Sequence, residues 1–201
     1  MKLTPSTLHF IIPSFDPTDG LRKTLAYAQH ASEIGLDVVL RCSETWSQTL
    51  EVFRTGPAAR LRPDPPRFQF TGTERFGLAA TDLAFVSSST VADLAYSSLT
   101  PGMSPHRVIQ LVQNLGHGDD SWMDGEGVRQ LTRPASRIFT DDHVLQGISA
   151  LLDPRALYRV IRSGSLEHER GEFKEFLSAV KQRVDEDEAE HNPWGSLPSY
   201  S

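Results

Sequence analysis

The strongest constraint on the fold lies in the first 45 residues. Leu8-His9-Phe10-Ile11-Ile12 is a short apolar run halted at Pro13, the pattern of a buried strand. Pro13 to Gly20 is rich in Pro, Asp and Ser and reads as a loop. Leu21 to Glu33 predicts a helix, because Leu21, Leu25, Ala28 and Ser32 share one face. Gly35 ends it in the manner of a C′ glycine. Asp37-Val38-Val39-Leu40-Arg41-Cys42 follows as a second strand. Strand, loop, helix and strand in so short a span make a βαβ unit, which requires a parallel sheet with a right-handed crossover.

The alternation continues down the chain. A helix is expected over Trp46 to Phe53 and a proline-rich loop over 54–67. Phe68-Gln69-Phe70, Asp82 to Val86, Arg107 to Val112 and Ser136 to Phe139 read as strands. Thr90 to Tyr96 reads as a helix entered from a serine cap, and Thr140 or Asp141 caps another that runs to Leu152. Residues 113–127 hold Gly116, Gly118, Gly125 and Gly127 and read as one long loop. The expected fold is α/β: a doubly wound, mainly parallel, Rossmann-like sheet over residues 1–163.

Residues 164–201 differ in character. Leu166, Phe173, Phe176, Leu177, Val180 and Val184 form one helical stripe, followed by Asp185-Glu186-Asp187-Glu188 and a Pro-, Gly- and Ser-containing end that is weakly ordered on composition. This segment carries nine acids against four bases, while residues 1–163 carry 17 against 16. Neither part has the basic excess of a nucleic-acid binder. A hydrophobic content of 38% suffices for one core, and no apolar run approaches the ~20 residues needed to span a bilayer. The N-terminal apolar run is too short for a signal peptide, so a cytoplasmic protein is expected. The single cysteine, Cys42, excludes an internal disulfide framework and reads as a buried strand-end residue.

The order of these pieces resembles the N-terminal lobe of GT-B glycosyltransferases of the family-4 type. The resemblance rests on His9-Phe10-Ile11-Ile12-Pro13, on Asp19-Gly20-Leu21-Arg22-Lys23, and on the turn Gly35-Leu36-Asp37-Val38-Val39. Asp82 to Ser88, Arg107 to Asn114 and Ala135 to Asp142 are similar to the later strands of that lobe. The match runs over roughly residues 8–155. A single Gly20 follows Asp19 where the family has two adjacent glycines, and the donor-binding second lobe does not follow Pro154. The resemblance implies an acceptor-side lobe that takes part in hexosyl transfer from a nucleotide sugar to a glycan acceptor, in surface polysaccharide or glycoconjugate assembly. It implies no cofactor, the nucleotide sugar being a substrate. A donor-lobe chain or a homo-oligomer would complete the cleft. The rival readings are a non-catalytic binding or scaffold protein acting through the C-terminal helix, and a fragment of a glycosyltransferase.

In open α/β sheets ligands bind beyond the carboxyl ends of the strands. That rule selects the loops after Ile12, Val86, Val112 and Phe139. Asp19 and Gly20 open a helix, where backbone N–H groups favour an anion such as a diphosphate; Asp19 is equally a plain helix cap. Gln113-Asn114-Leu115-Gly116-His117-Gly118-Asp119-Asp120 sets amide, imidazole and carboxylate groups on a glycine-bearing loop. There Gln113 and Asn114 would bind sugar hydroxyls and His117 would serve as a general base, or the segment is a solvated turn. Ser88, Asp142 and His143 complete the candidate substrate contacts, with capping as their simpler role. No metal site is expected. No Gly-x-Gly-x-x-Gly, P-loop or Gly-x-Ser-x-Gly pattern occurs at these loops, which disfavours dehydrogenase, NTPase and serine-hydrolase chemistry.

Overall fold

The computed structural model describes residues 7–13, 19–42, 68–72, 76–113, 122 and 125–191. Seven strands form one sheet: β1 (Thr7–Ile12), β2 (Asp37–Cys42), β3 (Phe68–Gly72), β4 (Asp82–Val86), β5 (Val108–Val112), β6 (Ser136–Phe139) and β7 (Leu157–Val160). Their order is β3-β2-β1-β4-β5-β6-β7, and every pairing is parallel. This is the doubly wound arrangement expected from the βαβ start. The chain winds one way from β1 to β3 and the other way from β4 to β7. The reversal between β1 and β4 is the topological switch point.

Among the described residues five helices cover the sheet: α1 (Asp19–Glu33), α2 (Ala92–Ser97), α3 (Gly125–Leu131), α4 (Asp142–Ile148) and α5 (Leu166–His191). The alternation of strand side chains decides which helix packs where. Leu8, Phe10, Ile12, Leu83, Phe85, Ile109, Leu111 and Ile138 face one way, toward Leu21, Leu25 and Ala28 of α1 and the stripe Phe173, Phe176, Leu177, Val180 and Val184 of α5. Ile11, Ala84, Val86 and Val108 face the other way, under Ala92 and Ala95 of α2. Val112 and Phe139 share that face with Trp122, Leu131 of α3, and Val144 and Ile148 of α4. Cys42 is buried at the end of β2, as expected.

Three expectations need correction, and one strand had no signal in the sequence. Gly125 and Gly127 do not prolong the loop; they form the first turn of α3. A Cβ at position 127 would come within 2.5 Å of the Trp122 backbone, so the glycine permits a close approach. Residues 157–160 add a strand with no strong periodicity, held to β6 by the ladder from Ser136↔Leu157 to Phe139↔Val160. Helix α4 stops at Ile148, and one 3-10 turn over Ser149–Leu151 replaces its expected last turn. The acidic run 185–188 does not follow the helix but belongs to it. Arg183 pairs with Asp187, Ser104 Oγ donates to Asp187 at 2.6 Å, and Arg107 holds Glu188. The expected helix at Trp46 to Phe53, the 54–67 loop and the chain end lie outside the described residues. Among the described residues no helix is long and apolar enough to cross a membrane.

Candidate functional site

Four strand ends converge at the carboxyl edge, on both sides of the switch point: β1 at Ile12, β4 at Val86, β5 at Val112 and β6 at Phe139. Helix α1 begins there. The Gly20 carbonyl accepts the Thr24 hydroxyl at 2.8 Å and the Gln113 side-chain amide at 3.3 Å. Gln113 therefore reaches from the end of β5, past the end of β4, to the first turn of α1. Its own carbonyl accepts from Thr140 Oγ1 at 3.0 Å, which ties the end of β6 to the same bridge.

The sequence-derived residues are distributed as follows. Asp19 and Gly20 are the first two residues of α1. Gly20 and Gln113 are joined directly. Ser88 is fully buried beyond β4. Its hydroxyl lies 2.8 Å from Thr90 Oγ1 and accepts from the Thr90 N–H, capping the 3-10 turn Ser89–Val91. Asp142 pairs with Arg162, and Asp141, not Thr140, caps α4 by accepting from the Val144 N–H. His143 is exposed in the first turn of α4. Asn114 and His117, with Asp119 and Asp120, lie outside the described residues.

Lys23 at this edge escaped the sequence reading, whereas Ser87 stood in the Ser87-Ser88-Ser89 run read as a helix cap or ligand contact. Lys23, in the second turn of α1, donates to Ser163 Oγ at 2.8 Å and to Glu169 Oε2 at 3.2 Å. The buried Glu169 also accepts from the Gly164 N–H, so the start of α5 is fastened to α1 beside the site. Ser87, directly after β4, is buried. The alternation Leu83, Phe85, Ser87 was its signal: it sets a hydroxyl, not an apolar group, on the α1 face at the switch point.

Two further polar clusters lie within the fold. His9, Arg41 and Asp82 meet on the face opposite α1. Arg41 Nε donates to His9 Nδ1 at 3.0 Å, so Nε2 carries the hydrogen donated to Asp82 Oδ2, also at 3.0 Å. With Nδ1 occupied, His9 has no lone pair to take a proton from a ligand. Burial pushes the Asp82 carboxyl up, but hydrogen bonds from His9 and the Ala79 N–H outweigh it and hold the group below its usual value. Arg137, fully buried on β6, donates to Gln110 Oε1 and to the carbonyls of Gln130 and Arg133. It thus caps the C-terminal end of α3, where the helix dipole favours a cation. Burial lowers its pKa to about 10. Among the described residues no group of three or more His, Cys, Asp or Glu can hold a metal ion.

A comparison of the chain with family models, with curated proteins and with solved structures finds no match in any of the three.

Proposed function

We propose that the chain is a glycosyltransferase-like lobe of the GT-B type. It takes part in hexosyl transfer from a nucleotide sugar to an acceptor, in surface polysaccharide or glycoconjugate assembly. The observation that carries this reading is the switch point between β1 and β4, where the first turn of α1 is held by Gln113 from β5. A Rossmann-like sheet binds its ligand at that place. In this reading the Gly20 turn receives the diphosphate, Asn114 and Gln113 line the cleft, and His117 takes the proton from the attacking acceptor hydroxyl. A donor-binding lobe, on another chain or a second copy, closes the cleft.

The rival reading, a binding protein that presents the apolar stripe of its C-terminal helix, has a specific observation against it. Phe173, Phe176, Leu177, Val180 and Val184 are already buried in the chain's own core. The helix also lies along a face of the sheet, from Lys23 at one end to Arg107 at the other.

Thermal-shift titration with UDP-, GDP- and dTDP-sugars tests the proposal. A ligand that binds only the native state raises the melting temperature by mass action. A rise with one donor class, lost in Gly20→Val, supports the reading. A catalytic His117 predicts that His117→Ala abolishes transfer while leaving that rise in place. No rise with any of the three donors refutes it for this chain.

A further inference from the structure

Strand β7 is the last strand of the sheet and is paired on one side only, with β6. The Leu157 N–H donates to the Ala135 carbonyl at 3.1 Å, and the Ile161 N–H to the Phe139 carbonyl at 2.8 Å. In a strand, alternate residues turn their backbone groups to opposite sides. Tyr158 and Val160 therefore point their N–H and C=O groups away from the sheet, and among the described residues nothing pairs with them.

Sheets usually blunt such an edge with lysine, proline, a bulge or a covering element. The outward positions here are a tyrosine and a valine, residue types that favour strands. Helix α4 stops at Ile148 and the 3-10 turn after it at Leu151. The apolar groups on that face of the edge stay partly open. Tyr158 is 51% exposed and meets Phe139 edge-on at 6.1 Å. Leu145, Leu151, Leu152 and Val160 are half-buried against the cluster that holds Phe139. On the other face Arg159 donates to Glu172 and Glu175, both at 2.8 Å.

We infer that β7 is a dimerisation edge: a second copy of the chain pairs antiparallel with it about a two-fold axis through Arg159, and the sheet continues from one molecule into the next. The fit of the edge to itself selects this occupant. In an antiparallel pair, two residues directly opposite exchange both hydrogen bonds. The two-fold axis sets Tyr158 opposite Val160 of the second copy, and Val160 opposite its Tyr158. Every outward N–H and C=O at these two positions is then paired in both copies. On the apolar face each tyrosine lies against a valine, an aromatic–β-branched pair of the kind that stabilises sheets. On the other face the two Arg159 side chains meet at the axis. Bare arginines there would oppose pairing. Each copy brings its own Glu172 and Glu175, and Glu175 is 68% exposed, so the two guanidinium groups lie among four carboxylates. The inference is independent of the functional reading. Antiparallel pairing turns the carboxyl edges of the two copies in opposite directions, so this second copy leaves the switch point open and is not the lobe that closes the cleft.

Sedimentation equilibrium of the full chain in reducing buffer, from about 1 to 200 µM, tests the inference. A concentration-dependent dimer is expected. Tyr158→Lys places a charge on the edge twice per dimer and should raise the Kd at least about tenfold, while the melting temperature of a dilute sample stays that of wild type because the side chain is exposed. Tyr158→Pro deletes an outward N–H that β6 does not use and should have the same effect; if it fails to fold, the lysine variant decides. Oxidation of two cysteine variants checks the register. Positions 159 of the two copies form a non-hydrogen-bonded pair, with Cα atoms about 4.5 Å apart, within reach of a disulfide. Arg159→Cys should cross-link into a dimer and Tyr158→Cys should not; the natural Cys42 is buried. A monomer at every concentration overturns the inference. So does a dimer that Tyr158→Lys leaves unchanged, or cross-linking that favours Tyr158→Cys over Arg159→Cys.

Discussion

Arg107 is a buried guanidinium with all three nitrogens engaged: Nε and Nη2 grip the two oxygens of Glu188 at 2.6 and 2.9 Å, and Nη1 donates to the Asp82 carbonyl at 3.1 Å. The bidentate pair joins the C-terminal half of α5 to the amino end of β5. Glu188→Gln removes the charge and one acceptor but leaves Arg107 buried. A loss of about 2–3 kcal/mol is expected in urea denaturation, and Arg107→Lys should not rescue it, because a lysine cannot reproduce the fork. A residue-scale prediction for pH follows from His106 and His30. Burial disfavours the charged imidazole of each and holds it below its ordinary value of 6.5; for His106 the nearby Asp187 opposes this without reversing it. The unfolded chain therefore takes up these protons first. Stability is full above about pH 6.5 and declines as the pH falls below it. Melting temperatures measured from about pH 7 to pH 5 should fall for wild type and fall less steeply for His106→Gln. Parallel slopes would remove His106 from the account.

At the scale of elements, two glycines in helices separate local propensity from packing. Gly171 lies in α5, exposed, with nothing within 4 Å of a Cβ built there. Gly171→Ala should stabilise the protein by about 1 kcal/mol, the propensity difference. Gly127 also lies in a helix, but its Cβ would strike the Trp122 backbone, which cannot swing aside like a side chain. Gly127→Ala should instead destabilise by about 1–3 kcal/mol. Chemical denaturation of the two variants checks both signs together. Helix α5 allows a third prediction. Phe173 packs edge-on against Tyr27 of α1 at 5.0 Å and against Phe85 of β4 at 6.4 Å, so it closes the core between helix and sheet. Phe173→Ala should cost about 3–5 kcal/mol, a core value and not a surface one. A loss under about 1 kcal/mol would mean that the helix is an appendage.

For the molecule as a whole, the sheet was legible where strands are buried on both faces, because such strands read as continuous apolar runs. Leu8–Ile12 and Asp82–Val86 are of this kind. The edge strand β7 was not legible, since Leu157-Tyr158-Arg159-Val160 is half exposed and Arg159 turns to Glu172 and Glu175 of α5. Helix α3 was hidden by Gly125 and Gly127, and only Gly127 has a packing reason, its contact with the Trp122 backbone. The acidic end of α5 was hidden because its carboxylates answer to Ser104 and Arg107, about 80 residues earlier. The candidate site was legible to the level of strand ends. Gly20 and Gln113 meet, but that Gln113 braces α1 depends on the order of strands in space. The measurement that tests the central claim most directly is an amide chemical-shift map of the isotopically labelled chain during titration with the nucleotide sugar that shifts its melting. The account predicts that the largest changes fall on Gly20, Ser87 and Gln113, at the switch point. Changes confined to the outer face of α5 or to β7, with those three amides unmoved, would contradict it.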